Sequence, residues 1–366
     1  MAPEHKRRVA VERVADATPA IEVIAAATRA GAAVAWVRNA VDDAIEALAP
    51  LLAAGLDPLL FHARFAMGDR LDTERQVIER FGRNSTDEKR KGRVLVATQV
   101  IEQSLDLDFD LIITDLAPAD LVVQRAGRLW RHPRGHRPIS GPRLLLLSPQ
   151  PVDDPPAGWL GAELRRTGFV YPDHALLWRS ARALLAAGAI ETPDGIRALV
   201  EAAYDRDDPG AIPPGLASAA NRAEGTELAA AGIALQNLLK LEEPYDRDAG
   251  LWEPDVRTPT RLGEARVVFR LARSEGGDIV PWYPHEDPRR AWALSEVSVR
   301  AARLKGAVED AAVEGAKTQW PAWDREIPVL LLRPGADGAW RGNGIDPRGQ
   351  RLTVTYDTSH GLMFGS

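Results

Sequence analysis

Over the first ~150 residues, short apolar runs alternate with longer segments whose apolar positions recur every three to four residues. This is the signature of strands and helices taking turns. Val9, Val11 and Val14 predict a short opening strand, residues 21–29 a helix, and the run AAVAWVR at 32–38 a buried strand. Asn39 follows that strand as a helix start for residues 41–52. Residues 59–62 read as a strand, 73–81 as a helix and the charged stretch 84–92 as a loop. Residues 94–98 and 111–115 are strands, and Pro118 and Asp120 open a helix predicted over 121–130. A final strand at 144–147 closes the sheet. Repetition of this kind predicts an α/β domain, a doubly wound parallel sheet flanked by helices.

The pattern then changes. QPVDDPP at 150–156 has the composition of a linker. Residues 157–240 are Ala- and Leu-rich with helical spacing, broken by the Pro/Gly segment 209–215. Apolar stretches at 266–271, 328–332 and 352–356, Gly-rich turns at 276–277 and 335–338, and an Ala-rich helix over 296–317 predict a small α+β domain. The expected division is therefore residues 1–150, a helical segment 151–240 and a C-terminal domain 241–366.

Composition narrows this picture without redirecting it. With 45% hydrophobic and 27% charged residues in 366, the chain is of ordinary soluble type, long enough for two or three domains. No apolar run is long enough to cross a bilayer, and no secretory leader is expected. The absence of cysteine excludes disulfides and thiolate metal sites and points to a reducing compartment, the cytoplasm. A net charge of -6 does not mark a nucleic-acid binder. Local charge does more: Arg125, Arg128, Arg131, Arg134, Arg137 and Arg143 fall in one stretch with His132, His136 and no acid. A preference for Arg over Lys explains the residue type but not the clustering.

The chemistry concentrates in VLVATQVIEQSLDLDFDLIITDLAPADLVVQRAGRLWRHPR, residues 94–134. A strand ending at Thr98, a polar loop, a second strand ending at Asp115 and a helix with Gln124, Arg125, Arg128 and Arg131 follow in order. Gln124, Arg128 and Arg131 stand at i, i+4 and i+7 and would share one helical face. Near the carboxyl ends of parallel strands, such a face suits a polyphosphate. Arginine is the residue of choice there, because its planar fork pairs two phosphate oxygens and stays charged. A solvated face making surface salt bridges is the plainer alternative, against which the order of the surrounding segments weighs.

Those segments resemble a family. VATQVIEQSLDLDFD is similar to motif V and QRAGRLWRH to motif VI of superfamily 2 helicases, and their particular forms resemble the CRISPR-associated helicase-nuclease of type I interference systems. VAWVRNAVDDA (34–44) resembles motif IV, and LFHARFAMGDRLDTERQVIERFG (60–82) a further segment of that family. TPTRLGEARVVF (258–269) and VTYDTSHGL (354–362) resemble the terminal domain of type I-E members. The resemblance implies a RecA-like second helicase domain over 1–150. It implies ATP bound between two such domains, with Arg128 and Arg131 as arginine fingers and Gln124 on the nucleotide. Asp106 would reach the ribose or pair with motif VI, with Gly127 and Arg125 beside the nucleotide. Arg125 could equally brace the fold through Asp115 or Asp106. Thr98, Gln99, Asn39 and Arg64 would hold single-stranded DNA, while Glu102 and Gln103 order their loop.

What is missing bears on function too. No GxxxxGK[ST] loop or DEAD-like box occurs, and neither does the His-Asp pair of the family's nuclease domain. ATP and Mg²⁺ would be bound chiefly by a first RecA-like domain, supplied in cis or in trans. The chain begins where the second such domain is expected, so a fragment or one subunit of a split helicase is the reading, unable to hydrolyse ATP alone. No metal site of its own is expected; single-stranded DNA and a CRISPR surveillance complex are the expected partners. The alternative is a non-catalytic fragment that binds DNA or docks on that complex. Ten tryptophans, crowded towards the end, could stack on bases but are read as packing.

Overall fold

Seven strands build the first sheet: β1 (Arg7–Val14), β2 (Val34–Val37), β3 (Pro58–Phe61), β4 (Val94–Ala97), β5 (Leu111–Asp115), β6 (Arg143–Leu147) and β7 (Ala189–Thr192). The computed structural model describes residues 6–102, 105–205, 212–236, 265–318, 320 and 322–365. The strand order is β3-β4-β2-β5-β6-β1-β7, with the first six parallel and β7 antiparallel to β1. The inner strands β2, β4 and β5 are buried at every position, which is why they read as unbroken apolar runs rather than alternating ones. The sheet does not end at the predicted strand 144–147. Strand β6 lies between β5 and β1, and β7 forms the edge.

Helix α1 (Ala17–Arg29) is capped by Asp16, whose carboxylate accepts from Thr18 N–H at 3.0 Å. The helix predicted over 41–52 is two, α2 (Val41–Glu46) and α3 (Leu48–Ala53). Pro50 explains the break: it has no N–H to give Glu46, and a restart places it in a first turn, where none is needed. Ala40, not Asn39, is the N-cap of α2. Helices α4 (Met67–Phe81), α5 (Asp87–Arg90, inside the expected loop) and α6 (Ala119–Ala126) follow. After the Pro-rich linker come α7 (Thr167–Val170), α8 (His174–Ala187), α9 (Ile196–Tyr204) and α10 (Ala217–Gln236). One continuous core runs from Val9 to Ala220 across that linker, with Trp36, Phe61, Phe81, Phe109 and Trp178 at its centre.

A second sheet comprises β8 (Arg266–Glu275), β9 (Asp278–Pro281), β10 (Glu296–Arg300), β11 (Gly306–Ala307), β12 (Val329–Pro334), β13 (Trp340–Ile345), β14 (Arg351–Asp357) and β15 (Gly361–Phe364). Its main path is β10-β8-β12-β13-β14-β15. The predicted helix over 296–317 is wrong for its first half. EVSVR alternates, burying Val297 and Val299, and pairs with β8 as β10; only Ala311–Lys317 is helical. Two β-branched residues at period two outweigh the alanine content nearby. The tryptophans pack on one another: Trp282 lies 5.6 Å from Trp340, and Trp292 lies 4.6 Å from Trp320. Trp252 and most of the 258–269 segment lie outside the described residues.

The two sheets meet on residues 62–72. Tyr356 Oη donates to Asp69 Oδ2 at 2.6 Å and accepts from Ala66 N–H at 2.8 Å, while Trp282 Nε1 donates to the same Asp69 oxygen at 2.8 Å. Tyr283 Oη donates to Asp72 at 3.0 Å, and a side chain at Gly68 would collide with the Tyr283 ring at 2.3 Å. Since Tyr356→Phe would leave a buried N–H and a carboxylate oxygen each short of a partner, it is expected to cost about 1–3 kcal/mol. Denaturant unfolding followed by tryptophan fluorescence measures this, and an unchanged midpoint would contradict it.

His62, fully buried at the same seam, stacks on Phe65 at 4.4 Å. Its Nδ1 accepts from Arg64 N–H at 3.1 Å, so Nε2 carries the proton towards the His360 carbonyl, also at 3.1 Å. Burial, with the Arg64 charge adding to it, pulls the imidazole down to about 3 from 6.5. The unfolded chain binds this proton near 6.5 and the folded chain does not. Stability is therefore full above 6.5 and lost as the pH falls towards 3. A slope approaching ~1.4 kcal/mol per pH unit is expected in that window. Replacement by the non-titrating His62→Gln should flatten it, and an unaltered slope would refute the assignment.

Candidate functional site

Helix α6 stops at Ala126, four residues short of the prediction. Beyond it Leu129 pairs with Phe109 in an isolated parallel bridge; Phe109 N–H donates to the Arg128 carbonyl at 2.9 Å, and Trp130 N–H to the Phe109 carbonyl at 3.0 Å. A chain that turns to pair with Phe109 cannot continue an α-helix, and Trp130 takes a φ of 46° to do so. Its indole donates to the Asp110 carbonyl at 3.3 Å and carries the Arg137 guanidinium 5.2 Å above its ring. Gln124, Arg128 and Arg131 therefore do not share a helical face. Gln124 stays exposed on α6, while the two arginines leave from the turn. Gly127, expected beside nucleotide, caps α6 and spends its N–H on the Val123 carbonyl at 2.9 Å.

The turn also lies at the amino end of β5, not at the carboxyl end that open α/β sheets commonly offer ligands. Three aspartates two residues apart meet arginines three residues apart. Exposed Asp106 accepts from Arg131 Nε at 2.6 Å and faces His132 Nε2 at 3.0 Å. Against the upward pull of desolvation, the Arg131 hydrogen bond and the His132 contact hold this carboxyl below its ordinary range. Asp108, fully buried, accepts from Arg134 Nε at 2.7 Å, from Arg137 at 3.0 Å and from Arg131 N–H at 2.9 Å. Asp110, also buried, pairs with Arg137 at 2.7 Å and Arg90 at 3.3 Å and accepts from Ala33 N–H at 2.8 Å. Arg134 and Arg137 are therefore internal clamps rather than a phosphate-binding face.

Arg125, expected near nucleotide or as a brace through Asp115 or Asp106, is a brace that reaches Asp115 by its carbonyl and pairs with the Glu102 carboxylate instead of Asp106. It has 0% exposure; its Nε donates to Glu102 at 2.8 Å, Nη1 to Thr114 Oγ1 at 2.6 Å and the Asp115 carbonyl at 3.2 Å, and Nη2 to Asn39 Oδ1 at 3.0 Å. With every nitrogen engaged and no route to solvent, it has nothing to offer a nucleotide. Arg128 is half-buried and holds the carbonyls of Ile101 at 3.3 Å and Glu102 at 2.9 Å through Nε and Nη2. Among the described residues no partner faces its Nη1. Burial and the neighbouring Arg131 charge both lower its pKa, the mark of a positive site short of compensation.

The residues expected to hold DNA lie at the other end of the sheet. Thr98 follows β4, and Gln99 Nε2 donates to the Asn39 carbonyl at 2.9 Å. Asn39 itself is 2% exposed and fully spent: its N–H goes to Asp115 at 2.9 Å, its amide NH₂ to the Leu116 carbonyl at 2.7 Å and Thr167 at 3.1 Å, and its oxygen to Arg125. It joins strands and cannot grip a phosphate. Arg64 is corrected likewise. It is buried in the seam between the sheets, paired with Asp42 and set 5.1 Å over Phe364. Tyr171, unnoticed in the sequence, caps this network with its hydroxyl near Arg125 at 3.4 Å and Gln99 at 3.5 Å. No signal in YPDH marked it. Gln103 lies outside the described residues.

A RecA-like parallel sheet whose loop after β4 is tied by arginines to a turn after α6 is the architecture of the second RecA-like domain of a superfamily 2 helicase. Residues 30–134 match the family model described as CRISPR-associated nuclease/helicase Cas3, C-terminal. The E. coli CRISPR-associated endonuclease/helicase Cas3 is 37% identical over 360 residues, 93% of this chain and 36% of that protein. T. fusca Cas3 solved with ADP covers the whole chain and 43% of its own, at 25% identity and a TM-score of 0.75. A chain of a pre-nicking CRISPR RNA-guided surveillance complex covers 99% of this chain and 45% of its own, at 25% identity and a TM-score of 0.68. The chain belongs to the Cas3 helicase-nuclease family, corresponding to its C-terminal part, and spans about a third of the length of the E. coli relative.

Proposed function

We propose that this chain supplies the second RecA-like half and C-terminal domain of an ATP-dependent single-stranded-DNA translocase and helicase acting in CRISPR interference. The observation that carries the reading is the state of the arginines. Arg125, Arg134 and Arg137 are locked in buried pairs, and only Arg128 and Arg131 are left on the turn with guanidinium groups reachable from outside. ATP and Mg²⁺ would be held chiefly by a P-loop half in the same or another polypeptide, with Gln124 near the nucleotide. Arg128 and Arg131 would neutralise charge on the γ-phosphoryl oxygens as the leaving bond breaks. Asp106 holds Arg131 through one oxygen and keeps it aimed from the turn.

Gln99 would lie along the DNA track, with Thr98, only 2% exposed, behind it rather than on a phosphate. A surveillance complex is the proposed recruiter, which the relationship to a chain of the pre-nicking complex supports. The test is single-strand binding by the assembled helicase, titrated by fluorescence anisotropy with ADP and with a non-hydrolysable ATP analogue. Affinity that changes between the two nucleotides is expected. Salt-sensitive binding indifferent to nucleotide would instead favour a non-catalytic module that binds DNA or docks on the complex.

A further inference from the structure

We infer that Asp108 positions the arginine turn for ATP hydrolysis, acting through Arg131 and touching no nucleotide itself. This rests on the reading that Arg131 serves as a finger. Asp108 is fully buried, and its own backbone is pinned on both sides: its N–H donates to the Phe81 carbonyl at 2.8 Å, and its carbonyl accepts from Arg90 at 2.7 Å. From that fixed point one carboxylate oxygen takes the Arg131 N–H at 2.9 Å. The other takes Arg134 Nε at 2.7 Å, with Arg137 shared between the two at 3.0 Å. Arg134 carries the tether onward to the Ser85 carbonyl at 2.6 Å and the Gly82 carbonyl at 3.0 Å. The backbone from which the Arg131 side chain springs is thus tied to the end of α4 through a single carboxylate.

Neighbouring Asp110 is equally buried and shares two of the arginines, but its carboxylate bonds Ala33 N–H and no backbone atom of the turn. It provides the control. Asparagine at 108 would keep an acceptor for the Arg131 N–H but present an NH₂ group to guanidinium donors, so the turn would loosen. Displacement of a catalytic group by about 1 Å costs up to ~10²-fold in rate.

The test is a double-mutant cycle in the complete helicase, in which this chain stands with its P-loop half, read by steady-state ATPase and thermal melting. Asp108→Asn is expected to lower kcat roughly ten- to hundredfold with little change in KM for ATP. In an Arg131→Ala background the same substitution should cost almost nothing further. Asp110→Asn should lower the melting temperature and spare kcat. If Asp108→Asn does not fold, Asp108→Glu, which keeps the charge and shifts the carboxylate by one methylene, takes its place in the cycle. Additive losses alongside a slowed but measurable Arg131→Ala enzyme, or an equal kcat loss in Asp110→Asn, would overturn the inference alone. Normal turnover by Arg131→Ala would overturn the finger reading beneath it.

Discussion

Arg128→Ala in the assembled helicase is expected to lower ATP turnover by about 10³-fold or more, with ATP still bound. Two guanidinium groups leave the turn after α6, and the exposed carboxylate of Asp106 bonds Arg131 and His132 but makes no hydrogen bond to Arg128. A γ-phosphate is the natural complement to the remaining charge, and the stabilisation it gains grows as negative charge spreads in the transition state. Part of the fold will loosen as well, since the carbonyls of Ile101 and Glu102 lose their donors at about 1 kcal/mol each. Arg128→Lys is not expected to rescue turnover, because one ammonium cannot brace two carbonyls and also face a phosphate. Phosphate release at saturating ATP measures the effect.

The second large effect is on stability. Arg125→Ala would strand the Glu102 carboxylate, 6% exposed, together with Asn39 Oδ1, the Thr114 hydroxyl and the Asp115 carbonyl. Breaking a buried pair from one side costs about 3–5 kcal/mol. Arg125→Met combined with Glu102→Leu removes both charges and should recover part of that loss, the neutral acceptors on Asn39 and Asp115 staying short of a donor. Urea unfolding of the three proteins would show it, and a single-mutant loss below about 1 kcal/mol would mean that Arg125 does not brace the core.

Much of this was legible in the sequence, for a physical reason. A parallel sheet covered on both faces must write its strands as apolar runs, so β2, β4 and β5 announced themselves within a residue or two. The arginines were legible as a cluster but not by their fates. Leu129 and Trp130 continue the apolar spacing of α6, and only the long-range bridge to Phe109 decides that the helix ends before them. Arg134 and Arg137 looked alike with Arg128 until Asp108 and Asp110 claimed them. Those acids stood in plain view in DLDFD, so matching aspartates at 106, 108 and 110 against arginines at 131, 134 and 137 was the signal available. Asn39 and Arg64 were misread because motif position says nothing about burial. One is consumed by strand-to-strand hydrogen bonds and the other by the second sheet, whose packing on residues 62–72 no local pattern encodes.

In the proposed function this chain completes an ATP site whose phosphate loop belongs to another RecA-like half. That completion is tested most directly by DNA-stimulated ATP hydrolysis measured for the chain alone, for a P-loop-bearing Cas3 half alone and for the two combined. The expected result is turnover only in the combination, abolished when the chain carries Arg128→Ala. Turnover by the chain alone, or a combination in which Arg128→Ala hydrolyses ATP at the normal rate, would contradict it.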